Sequence, residues 1–121
     1  MPVEREARKG QGLLRRLGFA ANGLRTALIR ERSLRTQALA AVGVLLVLVL
    51  TRPPALWWAI GLLAIGLVLV AELVNTALET LADHLHPERH PEIRVVKDIA
   101  AAAVLLASLV ALAVAVAFCL R

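Results

Sequence analysis

Three apolar runs, Ala38 to Leu50, Ala55 to Ala71 and Ile99 to Leu120, constrain this chain more than any other feature, and the last is interrupted only by Ser108. A helix needs roughly 20 apolar residues to cross about 30 Å of hydrocarbon. The third run suffices alone, the first must extend over Leu34 to Gln37 and Thr51, and the second continues past Glu72 toward Leu85 before Pro87 stops it. With 121 residues, of which 60% are hydrophobic, and a mean hydropathy of +0.75, a single soluble core is too small to hide the apolar surface. The reading is an all-α integral membrane protein with three transmembrane helices and an N-terminal amphipathic surface helix. It forms one membrane domain over 1–121, with a surface helix at about 12–32 and spans at 34–51, 55–85 and 94–120.

Charge fixes the expected orientation. Nine of the 14 basic residues precede residue 36, one lies at Arg52, three between Arg89 and Lys97, and one at Arg121. The positive-inside rule then places the N-terminus and the connection between the second and third spans in the cytoplasm. Arg52-Pro53-Pro54 makes the opposite turn, and Trp57 with Trp58 suits an interfacial aromatic belt. Upstream, Leu13, Leu14, Leu17, Ala21, Leu24 and Leu28 share one helical face, with Arg15, Arg16, Asn22, Thr26 and Arg30 on the other. A helix of that kind is expected to lie on the cytoplasmic membrane surface among anionic headgroups. Cys119 is the lone cysteine, so no disulfide framework forms within the chain. No apolar segment with a cleavage site follows the charged N-terminus, so no removable targeting segment is expected.

The chemistry concentrates on the second span. Glu72, Asn75, Glu79 and Asp83 are spaced by three, four and four residues, which keeps them on one helix face, with Thr76 close by. Glu72 directly follows seventeen apolar residues, and a carboxylate at the hydrocarbon boundary is normally kept for pairing, ion binding or proton transfer. Glu79 and Asp83 extend toward the cytoplasmic interface, where hard oxygen ligands suit Mg²⁺ accompanied by substrate phosphates. Lys97 and Asp98 open the third span at the same depth, and Glu31 ends the surface helix there. His84, His86 and His90 lie beside Pro87 and Pro91, where a polar loop accounts for them without a metal. Neither a phosphate-cradling glycine loop nor a dinucleotide fingerprint is present. The residues alone point to an intramembrane acid-base or ion site near the cytoplasmic face, which leaves open a small proton- or ion-coupled transporter subunit.

The run Glu72-Leu73-Val74-Asn75-Thr76-Ala77-Leu78-Glu79, then Asp83, then Lys97-Asp98 ahead of Ala100 to Val104, resembles the signature of the prokaryotic diacylglycerol kinase family. Gly23-Leu24-Arg25 and Glu31 to Arg35 fit the family's surface helix and first span, so the resemblance runs from about Leu14 to the end of the chain. It implies a homotrimeric lipid kinase of the bacterial cytoplasmic membrane that transfers the γ-phosphoryl group of MgATP to diacylglycerol, or to undecaprenol in another branch. The implied partners are that lipid, ATP and further copies of the chain, with no nucleic acid.

Carried onto matching positions, the resemblance makes Glu72 the general base and Asn75 the residue that orients it. Glu31 and Glu79 would hold Mg²⁺. Phe19, Glu31, Glu79, Glu88, Arg89, His90, Lys97 and Asp98 would meet the nucleotide, and Arg25, Ser33, Arg35 and Glu72 the lipid. Gly12 stands where relatives tend to carry a basic residue, which leaves phosphate contact there to Lys9, Arg15 or Arg16. Phe19 stands where tyrosine is frequent, keeping the stacking ring without its hydroxyl.

Overall fold

The computed structural model describes residues 12–121; Lys9 and the charged residues before it lie outside them. Four helices follow in order: α1 (Leu13–Arg30), α2 (Arg32–Thr51), α3 (Ala55–Leu85) and α4 (Pro91–Leu120). No strand occurs among the described residues. The last three helices are long and apolar enough to cross a membrane. This follows from the solvent, since hydrocarbon offers backbone N–H and C=O groups no partner and a helix satisfies them within one segment.

Each boundary has a local cause. Glu31 is a single extended residue at φ −108° and ψ 110° that ends α1 and starts α2, its N–H bonding to Ala27 O at 2.8 Å. Its side chain makes no capping bond. Arg35 reaches back instead, donating from Nη1 to the carbonyls of Leu28 and Ile29 at 2.8 Å each, which satisfies two acceptors left over at the end of α1. At the α2–α3 turn, Arg52 is left-handed at φ 50°, ahead of two prolines that cannot continue the helix. His90 caps α4 by accepting the Glu92 N–H at Nδ1, 3.1 Å away, with Pro91 in the first turn, where its missing N–H costs nothing. The helix therefore starts upstream of residue 94.

Small residues set the packing. The face of α3 formed by Gly61, Ala64, Val68, Glu72 and Thr76 is buried, as are Ala100 and Ala107 of α4. Large side chains such as Leu63, Leu106 and Leu112 point outward. That inverts the arrangement of a soluble protein, because lipid solvates leucine as well as a core does and close helix approach needs small side chains. Among the described glycines the closest fit is at Gly61, where an added Cβ would meet Leu48 Cδ1 at 3.1 Å. At 1.5 Å per residue, the 31 residues of α3 reach about 46 Å. They outrun the hydrocarbon, so the polar end of α3 emerges beside the polar start of α4.

Gly61→Val is expected to destabilise the fold by about 1–3 kcal/mol through overpacking. Adding Leu48→Ala is expected to recover part of that loss; denaturation in detergent of the two single variants and the double variant measures the coupling.

Candidate active site

Glu72 is 2% exposed and lies on the face of α3 that meets α2. Its carboxylate is held across the interface by Ser33, whose hydroxyl donates to Oε1 at 2.7 Å. The Thr76 hydroxyl, one turn on, is spent within the helix on Glu72 O at 2.9 Å, so it leaves the carboxylate untouched. Among the described residues no cation pairs with Glu72; the ion pairs are Arg94 with Asp98 and Lys97 with Asp83.

The next turn carries the second pair. Asn75 donates from Nδ2 to Glu79 Oε1 at 3.2 Å, an i,i+4 contact that the spacing already allows. Only the amide N–H₂ can serve an ionised carboxylate, which fixes the amide's orientation. Asn75 Oδ1 consequently points elsewhere and, although buried, finds no partner among the described residues. A buried acceptor without a donor is costly in a finished structure. The Glu79 carboxylate is a hard oxygen ligand of the kind Mg²⁺ accepts, and Mg²⁺ needs only one or two protein carboxylates when phosphates supply the rest. No cluster of three or more His, Cys, Asp or Glu side chains suited to a metal occurs among the described residues.

Nearer the polar end of α3, Lys97 of α4 donates to Asp83 Oδ1 of α3 at 2.5 Å. The link sets the Lys97 ammonium on the side of α4 facing α3. Asp98 turns away, largely exposed and 3.8 Å from Arg94 on its own helix. In the connecting loop the His86 and His90 rings meet edge-on at 5.0 Å, and His86 Nδ1 bonds to Glu88 O at 3.1 Å. Glu31 is half-buried and Arg25 exposed, both at the α1 side; Arg35 is committed to the α1 carbonyls. Toward the other membrane face lies an apolar groove of about 530 Å³ between α2, α3 and α4. Its near end is lined by Gln37, Val68 and Leu69, about one helical turn from Ser33 and Glu72.

The sequence model for prokaryotic diacylglycerol kinase matches residues 18–119. The chain belongs to the prokaryotic diacylglycerol kinase family. It is 28% identical over 99 residues to the diacylglycerol kinase of Escherichia coli (strain K12), covering 82% of this chain and 81% of that protein. The diacylglycerol kinase of Shigella flexneri matches to the same extent. This is therefore an integral membrane protein of a lipid-kinase family, and its carboxylate row on α3 lies within the matched residues.

One partner escapes sequence reasoning: Ser33 lies 39 positions from Glu72, and no periodicity joins two helices at that distance. Lys97 and Asp83 are likewise brought together by the α3–α4 packing. Because that ion pair is exposed, Asp83→Asn is expected to change stability by less than about 1 kcal/mol, as read from denaturant titration in micelles.

Proposed function

We propose that this chain is an ATP-dependent lipid kinase that transfers the γ-phosphoryl group of MgATP to the hydroxyl of diacylglycerol, giving phosphatidic acid. The observation that carries the reading is the buried Glu72 carboxylate receiving a hydroxyl hydrogen bond at 2.7 Å at the boundary between an apolar groove and a polar helix end. An acceptor alcohol needs that same relation to a base: its O–H donates to the carboxylate, its oxygen attacks the γ-phosphorus, and its proton passes to Glu72 as ADP leaves. The groove supports a lipid acceptor, because its apolar walls begin about one helical turn from the carboxylate, at Val68 and Leu69. Undecaprenol is the alternative acceptor.

Asn75 orients the site through Glu79. Glu79, with Glu31 from the α1–α2 junction, would hold Mg²⁺ against the nucleotide phosphates. That ion would neutralise charge developing on the transferred group. Lys97, kept at the α3–α4 seam by Asp83, offers its ammonium to the phosphates. Asp98, Phe19 and the Glu88-Arg89-His90 loop complete the nucleotide side, and Arg25 and Arg35 the lipid side. We place the enzyme in the bacterial cytoplasmic membrane as a homotrimer, with α1 on the cytoplasmic surface and the α3–α4 loop on the same side. In that arrangement the outward-facing Arg94 and Asp98 are available to a neighbouring copy.

Purified protein supplied with radiolabelled ATP is expected to phosphorylate diacylglycerol in preference to undecaprenol; the reverse preference would assign the acceptor to the other branch. Glu72→Gln is expected to keep MgATP binding while turnover falls at least about 100-fold, and near-normal turnover would sink the reading. Glu79→Gln is expected to raise the Mg²⁺ concentration needed for half-maximal rate by about 10-fold or more, a loss typical of a removed ligand or its support.

A further inference from the structure

We propose that Ser33 is a positioning residue for Glu72. Its hydroxyl pins Oε1, leaving the other carboxylate oxygen to take the acceptor's proton. The inference rests on reading Glu72 as the base.

Ser33 is the second residue of α2. A serine in a helix's first turn ordinarily bonds to nearby backbone, yet no side chain caps this N-terminus. The hydroxyl crosses instead to α3, where it donates to Glu72 Oε1 at 2.7 Å. Its neighbours hold it in register. Leu34 is 1% exposed, the most deeply buried large side chain described. Arg35 is tied to the Leu28 and Ile29 carbonyls. The start of α2 is thus anchored on both sides of Ser33.

The type of donor matters as much as its place. A lysine or arginine against the carboxylate would also fix it, but the charge would make the carboxylate a weaker base. A neutral hydroxyl orients one oxygen without a countercharge. The Glu72 side chain has no ion-pair partner among the described residues and no hydrogen-bond donor to it besides Ser33. An acceptor hydroxyl arriving from the groove, past Gln37 and Val68, would meet a carboxylate whose rotation is already restricted. Such preorganisation affects the rate of the bound complex more than the binding of either substrate.

The test compares wild type with Ser33→Ala, Ser33→Thr and Glu72→Gln in reconstituted membranes. Ser33→Ala is expected to lower kcat about 10-fold or more, as for loss of a hydrogen bond to a charged group. KM for lipid and for MgATP should stay within about twofold, and Ser33→Thr, which keeps the hydroxyl, should recover most of the rate. A raised lipid KM at unchanged kcat would overturn the proposal and leave Ser33 a substrate contact; so would equal loss in the alanine and threonine variants. If Ser33→Ala does not fold, Ser33→Cys, a weak donor of similar size, replaces it with the same expected split.

Infrared difference spectra separate this result from the functional reading, because they need no turnover. The carboxylate bands lost in Glu72→Gln are expected to shift in Ser33→Ala, and unshifted bands would overturn the contact itself. Bands that shift in Ser33→Ala while the wild-type protein phosphorylates neither lipid would remove the base assignment and, with it, the positioning role.

Discussion

Hydrocarbon cannot hydrogen-bond, and most of the structure follows from that. Each backbone polar group in a span needs an internal partner, so the apolar runs become helices and the breaks between them fall outside the runs. Threonine side chains follow the helices' own pattern. Thr26, Thr36, Thr51, Thr76 and Thr80 each return their hydroxyl to the carbonyl four residues earlier. Helix contact in lipid draws little on the hydrophobic effect, so it depends on close approach, which is why glycine and alanine line the faces that meet.

Against that background Glu72 stands out. It occupies the face of α3 that holds Gly61, Ala64 and Val68, a packing stripe where an apolar residue would be easier to bury. Among the described residues a single neutral hydroxyl serves it, and the amide oxygen of Asn75, one turn away, is buried with no partner. Both departures from full satisfaction lie where the apolar groove gives way to the polar end of α3. Unfinished polar chemistry at such a boundary suits a site completed by substrate, with an apolar tail on one side and a charged nucleotide on the other.

At the opposite end of the bundle the interactions are ordinary interfacial ones. Trp57 and Phe118 meet edge to face at 5.3 Å, and the Arg121 guanidinium lies 3.8 Å from the Phe118 ring centroid. Aromatic and cationic groups favour the headgroup region, so these contacts tie the start of α3 to the end of α4 where the chain leaves the hydrocarbon. The molecule is thus anchored at one face and carries its polar groups at the other.

By itself the sequence determined the helices, their approximate ends and the row from Glu72 to Glu79, because these depend on composition and on the 3.6-residue period, which are local. It also made the Asn75–Glu79 contact readable as an i,i+4 pair. The family was legible for the same reason, its signature being one continuous run on α3 followed by Lys97-Asp98. Only the tertiary structure decided that Ser33 serves Glu72, that Lys97 meets Asp83, and that Arg35 closes α1. Those choices depend on how far each helix slides and rotates against its neighbour, and that is set by the close fit of small residues such as Gly61 against Leu48. A pattern that repeats along one helix carries no record of the register between two.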